Sequence, residues 1–118
     1  MRRVLIIEQE GWLRGILAQG FERDGFSVQA VSTPALALRA LQRFAPDLIV
    51  WDLDTEDHPS LCHPLSASGT PVIYLTARGG AAPFPSLRKP FRPAHLLSLA
   101  HLSLQLRHTQ NFGIVPIS

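Results

Sequence analysis

Cysteine is nearly absent: Cys62 stands alone, so no disulfide forms within the chain, which fits a reducing compartment and makes the cytoplasm the expected location. No run approaches the roughly 20 apolar residues that a spanning helix needs, so no membrane partner is expected. The opening stretch MRRVLIIEQE has two arginines and a short apolar run, but acids follow at Glu8 and Glu10 without a small-residue cleavage site, which makes a poor signal peptide. A dominant charge is missing as well. The 118 residues carry 11 Lys and Arg against 9 Asp and Glu, spread along the chain without a basic patch, so direct nucleic-acid binding is not expected from this domain. Internal repeats and long low-complexity tracts are also lacking. No nucleophile–base pair or glycine-rich phosphate loop stands out, which weighs against a small α/β enzyme.

What is present is apolar residue in quantity, 46% of the chain, enough to fill one core. One globular domain is expected over residues 1–107, with 108–118 as a C-terminal tail or linker. Four runs rich in β-branched residues read as strands: RVLII (3–7), FSVQAV (26–31), DLIVWD (47–52) and PVIYL (71–75). The first, third and fourth are apolar on both faces, the mark of central strands in a parallel sheet covered by helices on both sides.

Between the first two runs, Leu13, Ile16, Leu17 and Phe21 form one helical stripe from about Gly11 to Arg23. After the second run, Thr33 caps a helix with Pro34 at its first position, Ala37, Ala40, Leu41 and Phe44 form its stripe, and Pro46 stops it. The β-α-β-α-β order argues for a parallel α/β sheet. Pro59 and Pro64 confine any third helix to a short, broken piece around residues 60–66. A short fifth strand is expected at PSLR (85–88), and a final helix begins with Pro93 and runs to about Arg107.

In open parallel sheets, ligands bind outside the carboxyl ends of the strands. Those ends carry Glu8, Gln9 and Glu10 after the first run, Asp52 after the third, Thr76 after the fourth and Lys89 after the fifth. A buried strand has no structural use for a charge at its end, so Asp52 either caps the next segment or does chemistry. Acid, hydroxyl and lysine are thus expected to converge on one edge.

At these positions the sequence resembles the receiver domains of bacterial response regulators. VLIIEQE is similar to the family's first strand with its acidic pair, PDLIVWDLD to the strand bearing the phosphoacceptor aspartate, TPVIYLTA to the strand ending in a hydroxyl, and LRKPF to the Lys-Pro motif. The resemblance runs from Arg3 to about Arg107. It implies a CheY-like three-layer sandwich with a doubly wound five-stranded parallel sheet in order 2-1-3-4-5. It also implies Asp52 as the phosphoacceptor, with Thr76 and Lys89 binding the phosphoryl oxygens, magnesium held by Asp52, Glu8 and Glu10, and a sensor histidine kinase or other signalling protein as partner.

The sequence departs from the family in three places. The acidic pair is Glu8 and neutral Gln9, where magnesium demands near-ideal octahedral oxygen ligation, so the metal is expected to be weakly held or lost. Only ARGGAAPFPSLR separates Thr76 from Lys89, too little for the usual crossover helix, so the fourth helix is expected to be missing. The usual switch aromatic is replaced by Ser86, with Phe84 a poor substitute. The expected function is an atypical receiver with impaired or absent aspartyl phosphorylation, acting through protein contacts. The alternative is a working magnesium-dependent phosphoacceptor, and a third reading makes the chain a fragment of a longer regulator.

The last helix spreads Leu96, Leu97, Leu99, Ala100, Leu102, Leu104 and Leu106 over about 220° of arc, wider than one sheet face requires. A homodimer through this helix and the fifth strand is a natural use for the excess, and the apolar tail FGIVPIS offers another cover. His58, Cys62 and His63 straddle prolines and match no tight metal-ligand spacing. Trp12 and Trp51 read as packing anchors.

Overall fold

Odd and even residues of the central strands go to opposite faces of one sheet, and that alternation sets the layers. The computed structural model describes residues 2–52, 69–76 and 86–111, with side chains described through residue 106. Five parallel strands, β1 (Arg3–Ile7), β2 (Ser27–Val31), β3 (Leu48–Asp52), β4 (Val72–Thr76) and β5 (Ser86–Arg88), pair in the order β2-β1-β3-β4-β5. Helices α1 (Gly11–Arg23), α2 (Pro34–Phe44) and α3 (Pro93–Asn111) complete the described elements.

Val4, Ile6, Leu48, Val50, Ile73 and Leu75 pack under α1 and α3, which contribute Leu17, Phe21, Leu96, Ala100 and Leu104. Leu5, Ile7, Ile49, Trp51, Val72 and Tyr74 face α2, which contributes Ala37 and Ala40. Strands β3 and β4 are buried along their whole length, as the runs apolar on both faces require. The expected doubly wound three-layer fold is therefore present.

Local signals set the boundaries. Thr33 Oγ1 accepts from the Leu36 N–H at 3.2 Å and Pro34 fills the first helical position of α2. Gly25, at φ +94°, lets the chain reverse after α1, where Phe26 N–H donates to Phe21 O at 3.0 Å. Ala45 closes α2 in the left-handed region at φ +48° without being glycine.

Three readings of the sequence are corrected. Ile16, placed in the buried stripe of α1, is 50% exposed, and Trp12, read as an anchor, is 68% exposed. Leu13, Leu17 and Phe21, at four-residue spacing, already fill the strip of α1 that meets the sheet, leaving Trp12 and Ile16 on the outer flank. Helix α3 continues past Arg107 to Asn111. The expectations of a broken third helix around 60–66 and of no helix between Thr76 and Lys89 fall outside the described residues.

Candidate functional site

Four neighbouring strands deliver the predicted residues to one edge. Ile7 stands beside Trp51 in the β1–β3 register, so Glu8 and Asp52 are the next residues on adjacent strands. Asp52 stands beside Leu75, one residue before Thr76, and Thr76 beside Arg88, one residue before Lys89. Glu8, Asp52 and Thr76 are buried and Lys89 is half-buried. The backbone ties the line together: Lys89 N–H donates to Thr76 O at 2.7 Å, and Glu8 N–H to Val31 O at 3.0 Å.

Lys89 Nζ lies 3.0 Å from Asp52 Oδ1 and 3.7 Å from Glu8 Oε1. One ammonium therefore faces two carboxylates. Burial pushes the Glu8 carboxyl from 4.5 up to about 7; hydrogen bonding to Asp52 and repulsion from its charge act in the same direction, while Lys89 and the Glu10 amide pull down more weakly. Two ionised carboxylates have no proton to share, and Glu8 Oε1 is buried without a hydrogen-bond donor. A proton on Glu8 supplies the donor that the pair lacks.

The turn after β1 is held by a residue that the sequence reading passed over. Arg14 Nη1 donates to Glu8 O at 2.9 Å and to Gln9 O at 3.2 Å, fixing the loop that presents Glu8. Its signal was only an arginine placed one turn inside α1. Glu10 precedes α1 as its N-cap residue without a side-chain cap; it is exposed, and its amide reaches Glu8 Oε2 at a long 3.4 Å.

For the magnesium that the resemblance implies, the described residues offer two carboxylates that share one lysine. Glu8 and Asp52 are two buried carboxylates, but Gln9 is neutral and exposed, and Lys89 already stands between the acids. Among the described residues no group of three or more His, Cys, Asp or Glu side chains is placed to hold a metal ion. Magnesium usually keeps several waters and takes one or two carboxylates, and the two that the described residues offer already face the Lys89 ammonium. Residues His58, Cys62, His63 and Phe84 lie outside the described residues; Ser86 is exposed on β5.

The comparisons with known proteins agree with this fold. The chain is 36% identical over 108 residues to Protein PetR of Rhodobacter capsulatus, covering 80% of this chain and 45% of PetR. It is 26% identical over 118 residues to the DNA-binding response regulator MtrA of Mycobacterium tuberculosis, covering 88% of this chain and 51% of MtrA. The chain thus spans about half the length of the curated relatives it matches. No family model matches. Among solved structures, the CheY-like receiver domain protein of Methanospirillum hungatei superposes with a TM-score of 0.83 at 19% identity, covering 93% of this chain and 98% of that one. The structure of a response regulator receiver modulated diguanylate cyclase from Pelobacter carbinolicus superposes with a TM-score of 0.78 at 24% identity, covering 94% and 98%.

The chain belongs to the CheY-like receiver domains of response regulators, the signalling modules of two-component systems. Receiver domains generally bind magnesium at the phosphorylation site. Among the described residues no helix is long and apolar enough to cross a membrane.

Proposed function

We propose that this receiver is a signalling module with impaired or absent phosphorylation of Asp52, which works in the cytoplasm through protein–protein contacts. The observation that carries the reading is the pairing of Glu8 and Asp52 over a single lysine, with Gln9 where a second acid would serve a metal. Phosphoryl transfer to a carboxylate builds negative charge on the equatorial oxygens, and catalysis rests on cations arranged around it. Lys89 is the one cation within ion-pair distance of Asp52 among the described residues, and it is shared with Glu8.

The surface supports action by contact. Trp12 and Ile16 are exposed one turn apart on α1, and Ile16 lines an apolar groove with Leu17, Phe21, Pro93 and Leu97. A histidine kinase or other signalling protein is the partner in this reading. On α3, Leu102 and Leu106 are exposed one turn apart, which supports a second copy docking through α3 and β5.

A second reading keeps Asp52 as a working phosphoacceptor that controls an output partner. It draws on the convergence of Asp52, Thr76 and Lys89 at one sheet edge. The two are separated by incubating the full chain with a small phosphodonor, with and without magnesium, beside Asp52→Asn, and weighing the intact protein. No adduct supports the impaired receiver; a magnesium-dependent phosphoryl adduct absent from the mutant overturns it.

A further inference from the structure

The opposite edge of the sheet carries a feature that neither reading uses. Strand β2 is the sheet's outer strand and pairs only with β1 among the described residues. Ser27 N–H donates to Arg2 O and Val31 O accepts from Glu8 N–H, so the backbone groups of 27, 29 and 31 turn inward. By the alternation of a strand, Val28 and Ala30 turn their N–H and C=O groups outward, away from β1. This is an open template for another strand.

Beside that edge lies a cleft of about 660 Å³ between β2 and α2, lined by Gln29, Val31, Leu36, Arg39, Gln42 and Arg43. Among the described residues, no acid lines it. Neither Arg39 nor Arg43 has an ion-pair partner among the described residues. The two arginines are four residues apart on one helix, a rise of about 6 Å. Alternate side chains of an extended strand repeat about every 6.6–6.8 Å, close to the same spacing.

We propose that the β2 edge and the α2 arginines together form a docking site for an acidic peptide segment of a partner protein, bound as an added strand. Its backbone pairs with Val28 and Ala30, and acids at two alternating positions reach Arg39 and Arg43. Main-chain pairing supplies affinity and the acid spacing supplies selectivity. The site is remote from Asp52, and the proposal does not depend on whether Asp52 is phosphorylated.

The test is fluorescence anisotropy of the full chain with a labelled peptide that alternates Glu and Val, beside a matched peptide that alternates Lys and Val. Binding of the Glu peptide alone is expected, weakening with added salt and falling at least about tenfold in Arg39→Glu/Arg43→Glu, the loss of one to two charge-assisted contacts. Ala30→Pro removes one outward N–H at an edge position where proline is tolerated, and the same loss is expected with both arginines intact. Circular dichroism confirms that each variant is folded. No binding at millimolar peptide, equal binding of the Lys peptide, or unchanged binding in either variant overturns the proposal. Displacement of the peptide by inorganic phosphate alone, or retention of binding by Ala30→Pro, reduces the site to an anion patch and overturns strand addition. Loss of peptide to vesicles of anionic lipid overturns the choice of a protein partner.

Discussion

Lys89 reaches Asp52 with its ammonium at 3.0 Å while its own backbone N–H is bound to Thr76 O at 2.7 Å. The end of β4 therefore aims the lysine at the end of β3. Replacing Lys89 with Met keeps most of the length of the side chain and leaves two carboxylates buried without the cation. Breaking a buried pair on one side costs about 3–5 kcal/mol, and the 21% exposure of the Lys89 side chain puts the expected loss near the lower end of that range. Asp52→Asn removes one of the two like charges and is expected to destabilise far less. Urea denaturation of the two variants checks the order, and equal losses would show that the lysine is not holding the acids together.

Glu8 makes stability fall with rising pH. Its carboxyl sits at about 7 in the folded chain against an ordinary 4.5, so between those values the folded state holds a proton that the unfolded state has released. The contribution is intact below about 4.5 and is lost as pH rises through about 7, at up to about 1.4 kcal/mol per pH unit inside the window. Glu8→Gln, neutral throughout, is expected to flatten the thermal midpoint over that range. A slope unchanged in the variant would assign the titration to another group.

If the missing charge at Gln9 is what weakens the metal site, Gln9→Asp restores a third acid beside Glu8 and Asp52. The native chain is expected to show no shift in Tm with magnesium. In the variant, magnesium at about ten times its dissociation constant adds about 1.4 kcal/mol, a few degrees in Tm. Calorimetric titration with magnesium gives the same answer without unfolding. A response in the native chain would mean that Glu8 and Asp52 suffice.

The fold was legible because its signals are local or strictly periodic. Runs such as LIVWD and VIYLT, apolar on both faces, leave no arrangement except a sheet covered on both sides, and Thr33-Pro34 marks the start of α2 to the residue. The line of Glu8, Asp52, Thr76 and Lys89 was legible from strand ends combined with family motifs. Which flank of α1 meets the sheet was harder: Leu13, Ile16, Leu17 and Phe21 make one stripe by spacing, and only packing shows that Ile16 lies outside it. The sharing of Lys89 between two acids and the grip of Arg14 on the β1–α1 turn are tertiary facts with no sequence period. The cleft beside α2 left a faint trace, Arg39 and Arg43 one turn apart near a strand interrupted by polar Gln29, too ordinary a pattern to single out.

Trp12 and Trp51 separate surface from core. Trp51 is fully buried beside Tyr74, at 5.9 Å between ring centroids, and Trp12 is 68% exposed. Trp51→Ala is expected to cost about 3–5 kcal/mol, whereas Trp12→Ala stays within about 0.5 kcal/mol of the native chain. Acrylamide quenching in Trp51→Phe, which leaves Trp12 as the emitter, is expected to be that of a solvated indole. If α1 is a contact surface, Trp12→Ala weakens partner capture without moving the denaturation midpoint; a midpoint that falls with it would make Trp12 a structural residue.

Ala45 offers the sharpest test of the backbone. It ends α2 at φ +48°, a conformation that the Cβ of an L-residue disfavours by about 1–2 kcal/mol, and its N–H donates to Leu41 O at 3.2 Å to close the last turn. Pro46 comes next and fixes where the chain leaves the helix. Glycine at this position relieves the Cβ crowding but widens the unfolded ensemble, and the two effects oppose each other. The first is the larger at a left-handed position, so Ala45→Gly is expected to raise stability by about 0.5–1 kcal/mol. Thr33→Ala, at the other end of the same helix, removes the oxygen that accepts from Leu36 N–H and is expected to lower stability by about 1 kcal/mol. The two sites share no contact partner, so the double variant should lie near the sum of the singles, close to the native chain. A destabilised Ala45→Gly would show that α2 does not end in the left-handed conformation.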